Sequence, residues 1–223
     1  MATVDTYLPS IGTDESGKGD FFGPLVCAGV YVTTASAAVL QGLGVRDSKR
    51  VSDRRCRELA DTIKTTCPQQ YSVVEINPAR YNDLYEQFRR EGKNLNTLLA
   101  WAHARVLENL LSQVDCHRAI TDQFADPRYV ESKLQARGKK IELIQMPRAE
   151  VHVGVAAASI LARARFLERL DALSMQFGMT LPKGASNLVI QAGRALVKEY
   201  GEGALRQVAK LHFKTTAQVL MSA

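Results

Sequence analysis

The sequence predicts an α/β fold, a central mixed β-sheet flanked by helices with a helical C-terminal region. Three observations carry this. Two apolar strands stand near the start, within residues 11–32. Further on, short β-rich runs alternate with helical segments, the pattern of a sheet with helices between its strands. Beyond Leu181, a turn and further helix complete the chain.

The elements follow in order. Residues 1–10 are a loose polar lead, and residues 11–32 read as strand, tight turn, strand. Residues 34–43, rich in Ala, Val and Leu, form a helix ending near Gly42 and Gly44, and residues 45–50 are a charged loop. Ser52 has the residue type and position of an N-cap for a helix that stops at Thr66, before Pro68. Residues 71–76 read as a strand, and the chain turns helical from Asn77. Residues 93–113 repeat Leu, Ala and Val at three- and four-residue spacing, so an amphipathic helix is expected there. Trp101 and His103 fall on it, and helix packing accounts for both. Residues 118–121 are a short strand ending at Asp122, a helix is expected over 127–137, and residues 140–146 form the next strand, stopped by Pro147. A second strong helix covers 152–173, its small residues Ala156, Ala157 and Ala158 suited to a close approach to the sheet. A Pro182-Lys183-Gly184 turn, a helix over 187–200 and a final segment complete the chain. With no repeat, low-complexity tract or linker, residues 1–223 read as a single domain, with 181–223 its helical C-terminal part.

Composition bounds the function. The 223 residues are 46% hydrophobic and 23% charged, as in ordinary globular proteins. Lys and Arg number 29 against 23 Asp and Glu, giving net +6 and a pI near 9.2, which suits an anionic partner such as nucleic acid. Cys27, Cys56, Cys67 and Cys116 are widely spaced, so neither a zinc site nor a disulfide framework is indicated. No signal peptide or transmembrane run is visible, and a cytoplasmic location is expected, with no membrane partner.

The chemistry concentrates at Asp14-Glu15-Ser16-Gly17-Lys18-Gly19, two adjacent acids at the end of a strand followed by a glycine-rich turn. Such a sequence is common in hairpins, because Asp, Ser and Gly favour turns. Here it lies between apolar segments, where unpaired acids are costly to bury. Hard divalent cations prefer oxygen ligands, and a pair of them can activate water and stabilise the leaving oxygen of a phosphodiester. That chemistry needs acids from several elements. Asp122, just past a strand, and Glu150, just before the Ala-rich helix, are candidates; read singly, each also fits a turn residue and a helix N-terminal acid.

The stretch from Gly12 to Val26 resembles the signature of the type 2 ribonucleases H. Its Gly17-Lys18-Gly19 and Asp20-Phe21-Phe22-Gly23-Pro24 are similar to the ribonuclease HIII branch. So are Asn94-Leu95-Asn96-Thr97, Trp101-Ala102-His103, Leu181-Pro182-Lys183-Gly184-Ala185-Ser186 and Ala209-Lys210-Leu211-His212-Phe213. The resemblance implies a ribonuclease H-like fold and an endonuclease that hydrolyses the RNA strand of RNA–DNA hybrids, leaving 3′-hydroxyl and 5′-phosphate ends. It implies Mg²⁺ or Mn²⁺, two ions held by Asp14, Glu15, Asp122 and Glu150, with Glu150 standing where many relatives have Asp. It places Gly17, Lys18 and Gly19 at the ribose 2′-hydroxyl, and Ser16, Ser48, Lys49 and Lys183 against the substrate, with Lys210 or Lys214 adding to the grip. The signature begins at residue 12, so the N-terminal domain usual in ribonuclease HIII is not expected here, and the chain is expected to act as a monomer without an obligate protein partner. Cleavage at single ribonucleotides embedded in DNA, as in ribonuclease HII, is the near alternative. A non-catalytic nucleic-acid-binding module is the distant one; it would suit the basic balance, but four convergent acids without metal would repel phosphate.

Overall fold

The computed structural model describes residues 6–45, 48 and 51–221. Five strands, β1 (Ser10–Ser16), β2 (Leu25–Val32), β3 (Tyr71–Ile76), β4 (Arg118–Asp122) and β5 (Glu142–Met146), form one mixed sheet in the order β3-β2-β1-β4-β5. The helices among the described residues are α1 (Thr34–Gly42), α2 (Asp53–Thr66), α3 (Pro78–Arg90), α4 (Leu95–Leu111), α5 (Arg128–Glu131), α6 (Val153–Gln176), α7 (Asn187–Tyr200), α8 (Gly203–Val208) and α9 (Lys214–Leu220). The α/β class with a helical C-terminal region is as the sequence predicts. Ser52 caps α2 as expected, its hydroxyl accepting from the Arg55 N–H at 3.2 Å.

The chain divides into two compact units. The first comprises residues 1–15, 27–74 and 96–164, the second residues 16–26, 75–95 and 165–223. In the first, β1, β4 and β5 run parallel, with Thr13 opposite Thr121 and Thr121 opposite Gln145. Side chains alternate across a sheet, so the two threonines face one side and the next residues, Asp14 and Asp122, the other. Helices cover both faces of this part of the sheet. A Cβ on Gly29 would meet Val106 and Leu110 of α4, and a Cβ on Gly12 would lie 2.1 Å from the backbone of Gly154 and Val155, where α6 begins. Only glycine lets α6 start so close to the strand that ends in Asp14.

Gly12→Ala should therefore cost at least about 3 kcal/mol of stability, the upper range of overpacking, because its obstacle is backbone rather than a mobile side chain. Gly42→Ala, with nothing within 4 Å of the added Cβ, should change stability little. Urea melts of the two variants check this; equal stabilities would remove the close packing of β1 on α6.

One expected element is shorter than predicted. Helix α5 ends at Glu131 rather than residue 137. The carboxylate of Glu108, 8% exposed at the far end of α4, accepts N–H groups of Gln135 (2.7 Å), Arg137 (3.3 Å) and Gly138 (2.8 Å). A buried anion needs donors, and these backbone groups supply them by leaving the helix.

In the second unit the buried groups include Phe21, Phe22, Tyr81, Phe166, Leu196, Val208 and Val219. Residues 20–23 are laced to the tail: Phe21 N–H donates to Gly184 O (2.9 Å), Gly23 N–H to Val208 O (2.8 Å), and Lys210 N–H to Phe21 O (2.8 Å). The Asp20 carboxylate accepts from Gly184 N–H at 2.6 Å.

Candidate active site

Parallel pairing of β1 and β4 sets the first acids. Asp14 and Asp122 follow the paired residues Thr13 and Thr121 on neighbouring strands. Asp14 is half-buried, and burial together with the adjacent Glu15 pushes its carboxyl up from 3.8 to about 7; hydrogen bonds from Ser159 and the Glu15 N–H (2.8 Å) pull the other way. Ser159 also holds the hydroxyl of Ser48 at 2.7 Å, so one α6 serine ties the Asp14 carboxyl to the segment that carries Ser48. Asp122 Oδ1 accepts the N–H of Ala149 at 3.2 Å, which brings the 3₁₀ turn Ala149–Val151, and with it the half-buried Glu150, to the end of β4. Glu15 Oε2 lies 3.1 Å from Nε2 of His103.

Asp14, Glu15, Asp122 and Glu150 thus belong to one unit, on the ends of β1 and β4 and the turn before α6. The carboxylates of Asp14, Glu15 and Asp122 rest on protein donors, and among the described residues no group of three or more His, Cys, Asp or Glu side chains stands ready around one point. The donor set nonetheless fits a hard divalent cation. It is all oxygen, and it contains a half-buried pair of neighbouring carboxyls whose joint ionisation is costly without a cation. The four cysteines are buried and free.

Asp126 is an acid the sequence reading passed over. It follows Asp122 by four residues, on the loop that leaves β4, and Arg128 clasps its carboxylate (2.7 Å) and holds it down to about 2.

The signature turn, Ser16 to Asp20, belongs to the second unit and continues directly from Glu15 along the chain. Gly17 is buried at φ +87°, and a Cβ there would sit 2.1 Å from the Pro24 carbonyl and 2.9 Å from Phe166. Gly19 is exposed, with ordinary φ and nothing within 4 Å of an added Cβ. Lys18 is half-buried and Lys183 exposed. Ser48 is buried, while Lys49 lies outside the described residues. Lys210 does not join a phosphate grip. It is fully buried, and its ammonium donates to the carbonyls of Gly23 (2.7 Å) and Asp20 (2.8 Å). Burial pulls it down to about 7.

Known proteins with this arrangement give it a class. The chain belongs to the ribonuclease HII family, which matches it over residues 11–216. Within that family it is similar to ribonucleases HIII. That of Protochlamydia amoebophila is 48% identical over 212 residues, spanning 95% of this chain and 68% of the relative; that of Chlamydia pneumoniae is 45% identical, spanning 95% and 70%. The structure of Bst-RNase HIII in complex with Mn²⁺ superposes with a TM-score of 0.87 at 36% identity, covering 97% of this chain and 70% of that one. Aquifex aeolicus RNase H3 gives 0.75 at 29% identity. The chain is a metal-dependent ribonuclease H, as its signature implies. Among the described residues no helix is long and apolar enough to cross a membrane.

Proposed function

We propose that this chain hydrolyses the RNA strand of RNA–DNA hybrids with Asp14, Glu15, Asp122 and Glu150 holding two Mg²⁺ or Mn²⁺ ions. The observation that carries the assignment is the register of β1 on β4, which puts Asp14 and Asp122 on adjacent strand ends, where burial and the adjacent Glu15 raise the Asp14 carboxyl. Bound there, divalent ions activate water and stabilise the leaving oxygen. Asp14 and Asp122 orient their carboxylates through Ser159 and the Ala149 N–H. Gly19 gives the ribose room to approach, and the backbone around it reads the 2′-hydroxyl that separates RNA from DNA. Lys18, Lys183 and Lys49 supply cations for the phosphates. All these residues come from one chain, which acts as a monomer. Its four reduced cysteines suit the cytoplasm.

The family's ribonuclease HII description favours one second reading, cleavage at single embedded ribonucleotides. A uniform hybrid and a DNA duplex holding one ribonucleotide, each with Mg²⁺ and with Mn²⁺, separate the two. We expect faster cutting of the hybrid, with 3′-hydroxyl and 5′-phosphate ends; faster cutting of the single ribonucleotide would reverse the assignment. Glu150→Gln should abolish cleavage. Retained activity would move the fourth ligand elsewhere, with Asp126 the next to substitute.

A further inference from the structure

His103 is buried completely in the middle of α4, and the mechanism above gives it no part. A buried imidazole needs partners for both nitrogens. Beside Cys27 of β2, which also hydrogen-bonds the ring, those partners are drawn from the two strands that carry the acids. Nδ1 lies 2.9 Å from Thr13 Oγ1 and 3.3 Å from Thr121 Oγ1, the side chains directly before Asp14 and Asp122. Nε2 lies 3.1 Å from Glu15 Oε2. A carboxylate only accepts, so Nε2 carries the proton that Glu15 receives. The ring of Phe124, two residues beyond Asp122, stacks on the imidazole with centroids 5.3 Å apart. A single ring therefore touches the end of β1, the end of β4 and one acid itself.

We propose that His103 is a positioning residue for metal binding: it holds the Glu15 carboxylate and, through Thr13 and Thr121, fixes the separation of the strand ends that present Asp14 and Asp122. This rests on the reading of Glu15 as a metal ligand. Two features support it. The imidazole is rigid, with its two nitrogens facing opposite tasks. The paired threonines are in register, so one nitrogen can address both strands. Groups that orient metal ligands in this way typically govern metal affinity by about 10- to 100-fold.

The test compares His103→Asn with His103→Gln in the full chain, reading Mn²⁺ affinity by electron paramagnetic resonance in the absence of nucleic acid. Asn keeps a polar atom near the threonines but cannot reach Glu15; Gln places an amide N–H near the position of Nε2. We expect about 10- to 100-fold weaker Mn²⁺ binding for His103→Asn, and recovery of most of that loss in His103→Gln. Parental affinity in a folded His103→Asn, or equal losses in both variants, would overturn the proposal. Should His103→Asn not fold, ¹⁵N-histidine spectra of the unaltered protein decide: Mg²⁺ must shift the His103 Nε2 resonance, and an unmoved resonance overturns it. Glu15→Gln separates the two claims. If that variant binds Mn²⁺ as the parent does, the metal-ligand reading of Glu15 fails, whatever His103 does.

Discussion

Asp14→Asn is expected to abolish hybrid cleavage while making the metal-free protein more stable at neutral pH. The loss of activity follows from removing an anion whose cation supplies several kcal/mol to the transition state, so the rate should fall by roughly three orders of magnitude or more. The gain in stability follows from proton linkage. In the unfolded chain the carboxyl titrates near its ordinary 3.8, and in the folded protein near 7. Below about pH 4 it is protonated in both states and contributes nothing. Between those values the folded protein holds a proton that the unfolded chain has released, so stability falls as pH rises through this window. Above about pH 7 both forms are ionised and the full cost is present, with a ceiling of about 4 kcal/mol. Asn keeps the shape and remains neutral, so this pH dependence should vanish in the variant. Melts of parent and variant in a chelator at pH 4.5 and pH 8 measure the difference. Curves that stay parallel across that range would show that burial at Asp14 is not costly. Added Mn²⁺ should then raise the melting temperature of the parent and leave the variant unchanged, because only the parent gains by binding it.

How much of this could be read from the sequence differs residue by residue. The candidate acids stand out in the sequence because each is marked by a short stretch: Asp14 and Glu15 by the turn after them, Asp122 by the strand before it, Glu150 by the small-residue helix behind it. The strands were legible by their apolar runs, and β3 and β5 lie within a residue or two of the predicted bounds. Three features were not. The end of α5 depends on Glu108, a residue over twenty positions away whose buried carboxylate draws backbone donors from the following loop. The place of Lys210 depends on burial; as a letter in a basic tail it reads as a phosphate contact, although its apolar neighbours Val208, Ala209 and Leu211 argued against exposure. His103 reads as helix packing because its partners are distant in the chain. A signal was present, since the dipeptide Thr-Asp occurs at both strand ends, as Thr13-Asp14 and Thr121-Asp122. Only the parallel register turns that repetition into one site on the imidazole.

The signature turn yields the second large effect, and here the structure changes which glycine should be substituted. A side chain at Gly17 is no clean block to the ribose, because Gly17 is already enclosed: its φ is +87°, and a Cβ would meet the Pro24 carbonyl at 2.1 Å. Any side chain there deforms the turn before substrate arrives, so lost activity in that variant would report on folding of the turn as much as on recognition. Gly19 has neither constraint. It is exposed, its φ suits any residue, and an added methyl meets no protein atom within 4 Å. Its lack of a side chain serves nothing inside the described molecule, and close approach by a ligand backbone is the remaining use for it. Gly19→Ala should therefore leave the melting temperature within about 1 °C of the parent, a shift below the few degrees that 1 kcal/mol produces in a chain of this size. It should weaken hybrid binding by roughly tenfold, the effect of about 1.4 kcal/mol, while Gly17→Ala loses stability and binding together. Fluorescence anisotropy with a short labelled hybrid, in a chelator to prevent cleavage, measures binding beside the melts. Parental affinity in Gly19→Ala would remove the ribose from this turn, because the substitution fills the space that the ribose is proposed to use and disturbs nothing else.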